Sequence, residues 1–186
     1  MKIRPCIGQN VSCQRGVALI TGLIFLVVLT LLGITAARMS SLEERMSGNT
    51  RDRSLAMQAA EMTLRDAELD IRTSGRFASP EDFTPACQNG ACYNGQNGAS
   101  NGVDWNVTPV WSLVSMTAAP SAVYGDYTPA TVINGLSAQP RYIVEYMPKQ
   151  LSGDGSPRPY FRITVRAQGA NPNTVVWLQE LFKPNS

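Results

Sequence analysis

The chain contains no histidine. That removes the commonest general acid–base group, a frequent metal ligand and the usual physiological pH switch. The sequence also has no G-x-S-x-G elbow, no phosphate-cradling glycine loop ahead of a helix and no metal-ligand cluster. Neither an enzyme nor a cofactor is therefore expected. Charge is scarce: 16% of residues are Asp, Glu, Lys or Arg, and the net charge is +2. Lys2, Arg4 and Arg15 stand without an acid in the first sixteen residues, so the remainder sums to −1. A body so close to neutral lacks the concentrated basic surface that phosphate binding needs, and nucleic acid is excluded as an expected partner. No proline lies between Pro5 and Pro80, so nothing in that stretch forbids one long helix.

What the chain does have is an uncharged run of 21 residues, Val17 to Ala37, closed by Arg38. At ~1.5 Å per helical residue the run covers roughly 30 Å, which matches the hydrocarbon core of a bilayer. Thr21, Thr30 and Thr35 are its polar members, tolerable because a threonine hydroxyl can bond its own helix carbonyls. The basic residues ahead of the run favour a cytoplasmic N-terminus, with the bulk of the chain on the far side of the membrane. The order of segments is unusual. A secretory signal places its small-residue cleavage site after the apolar region. Here Gln14-Arg15-Gly16 comes before it. A cut after Gly16 leaves the apolar segment on the mature chain, beginning at Val17, as an anchor. Cys13 also precedes the run, whereas a lipidated cysteine follows its apolar segment, so a lipoprotein is not expected.

The four cysteines fall into two pairs. Cys6 and Cys13 lie in the leader. Cys87 and Cys92 frame the loop C-Q-N-G-A-C in the exported part, where the compartment permits a disulfide. A zinc site would need two more ligands than this pair supplies.

Beyond Arg38 the helical pattern continues to about Ser74-Gly75, where glycine can cap it. Ala60, Leu64, Ala67 and Ile71 share one face, flanked by Leu55, Ala59, Met62 and Leu69. Glu61–Arg65 and Glu68–Arg72 fall at i,i+4 in the favourable order. Gly33 and Gly48-Asn49 are local weak points, suited either to a hinge or to close helix packing. A Gly- and Asn-rich loop follows to about Gly102. Strands are expected over Trp105–Trp111 (broken by Pro109), Tyr142–Met147, Tyr160–Ala167 and Thr174–Phe182, with turns at 153–155 and 169–173. The short connections suggest an antiparallel meander with one face against the helix. Glu43-Glu44 and Glu81-Asp82 read as surface carboxylates. Gly153-Asp154-Gly155 reads as a turn and not a calcium loop. Asp104 with its Asn/Gly neighbours is a weak cation candidate.

Arg15-Gly16-Val17-Ala18-Leu19-Ile20 ahead of an uncharged helix resembles the class III signal of type IV prepilins. Glu44-Arg45-Met46-Ser47-Gly48-Asn49, Arg51-Asp52, Ala59-Ala60-Glu61 and Leu64-Arg65-Asp66-Ala67-Glu68 resemble the PilX-type minor pilins of type IV pilus assembly, as do Arg162-Ile163-Thr164 and Leu178-Gln179. The resemblance is strong over residues 14 to about 72 and looser beyond. It implies an α+β, pilin-like fold: a cleaved leader (1–16), a helix (17–75) whose span (17–37) crosses the inner membrane, and a periplasmic head (76–186) with a C-terminal antiparallel sheet. It implies cleavage between Gly16 and Val17 by a prepilin peptidase, and methylation of the new Val17 amine. It further implies an inner-membrane assembly platform, and contacts with the lipid bilayer, the major pilin and other minor pilins.

One position departs from the family pattern. Pilins typically place Glu at the fifth residue after the cut, where it pairs with the terminal ammonium of a neighbouring subunit. Here that residue is Thr21. The same lack marks the tip pseudopilin of type II secretion, so the resemblance implies a subunit at or near the fibre tip that helps to start assembly. A type II secretion pseudopilin is the nearest alternative, although that tip subunit's inserted domain has no room between Ile71 and Trp105. An uncleaved, signal-anchored periplasmic binding or adhesive protein is the other.

Overall fold

The computed structural model of the protein describes residues 15–92, 110–147, 149–150, 157–158 and 160–184. Residues 1–14 of the leader, with Cys6 and Cys13, the 153–155 turn and Asp104 lie outside them. Among the described residues there is one α-helix, α1 (Arg15–Thr73). Seven strands follow: β1 (Ala91–Cys92), β2 (Ala122–Val123), β3 (Arg141–Tyr146), β4 (Lys149–Gln150), β5 (Pro157–Arg158), β6 (Phe161–Gln168) and β7 (Val175–Phe182). The chain divides into two compact units, Met1–Gly48 and Asn49–Ser186.

In the first unit α1 is exposed from Val17 to Gly48. It is long and apolar enough to cross a membrane. Thr21, Thr30 and Thr35 each donate their hydroxyl to a carbonyl of the preceding turn, for example Thr30 Oγ1 to Val27 O at 2.8 Å. No polar hydroxyl of the span is left for the surroundings to satisfy. A Cβ built on Gly33 or Gly48 meets nothing within 4 Å, so neither glycine is held by packing within the chain.

In the second unit α1 packs on the sheet through small residues. Ala56, Ala59, Ala60 and Ala67 are buried against Tyr142, Val144, Ile163 and Val165. Small side chains let the helix backbone approach the sheet closely, while the bulk of the core comes from the strands. Leu64 and Ile71 pack at the margin as expected. Met62 and Leu69, expected to flank the apolar face, are instead exposed. The buried arc is turned toward Thr63, Asp66 and Asp70, a direction that apolar periodicity cannot signal because two of those residues are acids. The helix ends with Ser74 N donating to Asp70 O at 3.0 Å and Gly75 in the left-handed region at φ +72°.

The sheet order is β1-β3-β6-β7, with β2 also paired to β3. β3, β6 and β7 form the expected antiparallel meander; Ile163 lies opposite Val144 on one side and Glu180 on the other. Alternation sends Tyr142, Val144, Phe161, Ile163 and Val165 toward α1. The sheet as a whole is mixed, because β1 joins β3 in parallel, Ala91 opposite Val144. β2 runs antiparallel along the other half of the same edge. β4 and β5 make a separate antiparallel ribbon. The strand expected at Trp105–Trp111 is not found in its described part: Val110–Ser112 is a 3-10 turn, and residues 105–109 lie outside the described set.

The face of the sheet opposite α1 carries a smaller core of Cys87, Cys92, Val110, Met116 and Ile143. Beside it the buried Glu145 accepts a bidentate pair from Arg162, at 2.5 and 2.8 Å. Among the described residues no buried side-chain polar atom lacks a hydrogen-bond partner.

Candidate functional site

The residues singled out in the sequence fall in two separate places. Gly16, Val17 and Thr21 lie in the first two turns of α1. Val17 is exposed, and Thr21 Oγ1 donates to Val17 O at 3.0 Å or Ala18 O at 3.1 Å. The hydroxyl thus closes onto the carbonyls of the residues at the proposed new terminus. A carboxylate here would demand a cation from outside the helix; the threonine demands nothing.

Cys87 and Cys92 are joined by a disulfide, and both are buried. The intervening turn bends sharply: Cys87 and Asn89 have φ of 54° and 55°, and Gly90 of 79°. A Cβ on Gly90 would stand 3.0 Å from Tyr142 O, so the loop lies flat on β3. Gly90 N donates to Pro120 O at 2.8 Å.

A third cluster links these loops to the helix, and the sequence did not reveal it. Asp70, wholly buried at the end of α1, receives Arg76 Nη2 at 2.6 Å, Arg76 Nε at 3.0 Å and the Tyr142 hydroxyl at 2.6 Å. Arg76 Nη1 donates to Asn89 O at 2.6 Å, inside the disulfide loop. The guanidinium also lies over the rings of Tyr127 at 3.7 Å and Phe77 at 4.3 Å. Burial lowers the pKa of Arg76, but its bonds to Asp70 outweigh this and hold it above the usual value. Burial and the Asp70 carboxylate push the Tyr142 hydroxyl well above the ordinary tyrosine range. One carboxylate therefore ties helix, sheet and disulfide loop together.

Two further aspartates of α1 hold loops. Asp66 accepts from Gly125 N at 2.8 Å and from the Thr128 hydroxyl. Asp52 accepts from Ala170 N at 2.6 Å and Asn171 N at 3.3 Å in the β6–β7 turn. A hydrogen bond from Thr174 and these amides hold the Asp52 carboxyl below its usual pKa, against a smaller opposing effect of burial. Of the surface carboxylates, Asp82 closes a capping box by accepting from Ser79 N at 2.7 Å, and Glu43 and Glu44 lie exposed on α1. Among the described residues no group of His, Cys, Asp or Glu is placed to hold a metal.

A long N-terminal helix, apolar and exposed in its first part, followed by a five-stranded sheet packed on its second part, is a pilin-like α+β arrangement. The PilX N-terminal family model matches residues 15–65, and that of the type IV pilus assembly protein PilX C-terminal part matches residues 88–184. The chain belongs to the PilX family of type IV pilus assembly proteins, a family of structural pilus components. No curated protein and no solved structure matches it.

Proposed function

We propose that this chain is a minor pilin that primes type IV pilus assembly, is incorporated at or near the fibre tip and so supports surface pili, twitching motility and adhesion. In this reading a prepilin peptidase cuts between Gly16 and Val17 and methylates the Val17 amine. The anchor then waits in the inner membrane, N-terminus inward and head in the periplasm, until the assembly platform moves it into the fibre beside major and minor pilins.

The observation that carries the tip position is Thr21. Its hydroxyl is satisfied by Val17 O and Ala18 O within its own helix. A neutral, self-satisfied group there makes no ion pair with the ammonium of a subunit stacked above it. A first subunit needs no such pair, and avoids burying a carboxylate without a partner.

Mass spectrometry of the membrane fraction tests the processing step. An N-methylated peptide beginning at Val17 is the expected result; an intact leader would leave a signal-anchored head and end the pilin reading. Thr21→Glu tests position. It should reduce the number of pili and alter crosslinks to other minor pilins, and wild-type values of both would refute the tip assignment.

A further inference from the structure

The two edges of the sheet are finished differently. On one side β3 is covered by β1 and β2, strands of two residues each, with the disulfide loop above them. Short strands of this kind are a common means of blunting an edge. On the other side lies β7, eight residues long, with β6 along one flank and, among the described residues, no strand along the other. From Val175 to Phe182 it contains no Lys, Arg or Pro, and Glu180, opposite Ile163, is its one charge of the kind that guards an open edge. A strand so exposed presents a row of main-chain donors and acceptors that an extended polypeptide satisfies.

The side chains along this edge narrow the choice of partner. Trp177 is 43% and Leu181 48% exposed, on the face away from α1. Beside them Trp111 meets Trp177 with ring centroids 5.3 Å apart. The two rings, Thr164 of β6, Leu178 and Gln179 line a cavity of about 360 Å³ over the β6–β7 face, so the apolar surface beside Trp177 continues inward from the strand. The opposite face of the strand carries its single charge, Glu180. Glu180 lies against Glu68 of α1, while Arg72 pairs with Glu68 at 3.3 Å and stacks over Phe182. Arg72 already takes Glu68, and Arg65 offsets only part of the repulsion that Glu68 exerts on Glu180; an incoming acid would add to that repulsion, and an incoming base would relieve it.

We propose that the flank of β7 that carries no strand among the described residues is a strand-addition site for an extended segment of another pilus subunit, apolar at alternate positions toward Trp177 and Leu181 and carrying Lys or Arg where it passes Glu180. The proposal rests on the pilus-assembly reading. A second copy of this chain fits less well. Antiparallel self-pairing centred on Gln179 sets Trp177 opposite Leu181, but leaves Glu180 opposite Leu178, so the second copy's strand brings no cation to it.

The test is photo-crosslinking in piliated cells that make the full-length chain. A benzoyl-phenylalanine probe is placed at Gln179 or Leu181, and a separate one at Leu31 in the anchor. The Leu31 probe reports the pilus reading; the other two report the edge. Expected are adducts from both edge positions to one extended segment of another pilus subunit, at sites two residues apart and next to a basic residue. Leu181→Lys should cut the Gln179 adduct at least tenfold while leaving the melting temperature of the chain unchanged. The strand proposal alone is overturned by Leu31 adducts to pilus subunits without edge adducts, by edge adducts to a helix, to a loop or to a second copy, or by an adduct that Leu181→Lys leaves intact. Absence of pilus-subunit adducts at all three positions ends the pilus reading and the strand proposal with it.

Discussion

Residues 17–37 and 52–73 belong to one helix, and they treat charge in opposite ways. The first stretch has no charged residue, and its apolar side chains are all exposed. The second is laced with charge and buries Asp66 and Asp70. Both stretches are helical; what differs is the surroundings each requires. The apolar stretch can be stabilised only from outside the chain, by lipid or by other helices. The second stretch is stabilised within the head, where every buried carboxylate meets a guanidinium, hydroxyl or backbone amide. A buried charge is thus a defect in one half and a fastener in the other, decided by whether a partner waits for it.

The sharpest way to break this contrast is to remove the fastener. Asp70→Asn keeps the size of the side chain but leaves Arg76 without its counter-charge, in a setting where Arg76 is only 17% exposed. Breaking one partner of a buried pair typically costs about 3–5 kcal/mol. The full chain in detergent should lose roughly 10 °C in melting temperature by circular dichroism, and unchanged melting would mean that the cluster contributes little. The converse change places an acid where none waits for it. Leu26→Asp should oppose membrane insertion by about 3–4 kcal/mol. Alkaline extraction should then release a large share of the chain from membranes, and full retention would argue against a lipid-spanning segment.

A smaller effect separates the two halves by packing. Ala60 is wholly buried under the sheet, whereas Ala36 is exposed in the apolar stretch. Ala60→Leu should destabilise the head by about 1–3 kcal/mol through overpacking, while Ala36→Leu should leave head melting unaltered. Equal effects would contradict the tight approach of helix to sheet.

The smallest effect concerns Glu180. Burial and the neighbouring Glu68 raise its pKa above the usual carboxylate value, against the pull of Arg65. A raised acid favours the folded state at low pH, and that advantage fades as pH rises through the folded pKa. Glu180→Gln should therefore stabilise the head at pH 7 by a few tenths of a kcal/mol and give less benefit near pH 4. Melting curves at the two pH values check the sign, and a larger benefit at pH 4 would reverse it.

The fold was legible wherever one physical signal acted alone. The uncharged run from Val17 to Ala37 has no competing reading, because length and hydropathy agree. β6 and β7 announce themselves by β-branched and aromatic residues between turns. The buried face of α1 was only partly legible. Ala60 and Ala67 follow from periodicity, but Asp66 and Asp70 look like surface residues until Thr128, Arg76 and Tyr142 are placed beside them. Arg76 and Tyr142 stand 66 residues apart in the chain, and no local pattern connects them. The two-residue strands β1 and β2 are too short to carry an alternation. Their pairing follows instead from the bend of the disulfide loop and the contact of Gly90 with Pro120.

The sequence by itself determined the apolar stretch, the small residue ahead of it, the threonine at the fifth place after Gly16 and the cysteine pair, since each depends only on residues close together along the chain. The tertiary structure decided which face of α1 turns inward, how Asp70 joins helix, sheet and loop, and which strand lies last in the sheet among the described residues. Those outcomes arise from hydrogen bonds and packing between distant segments, and they exist only once those segments meet.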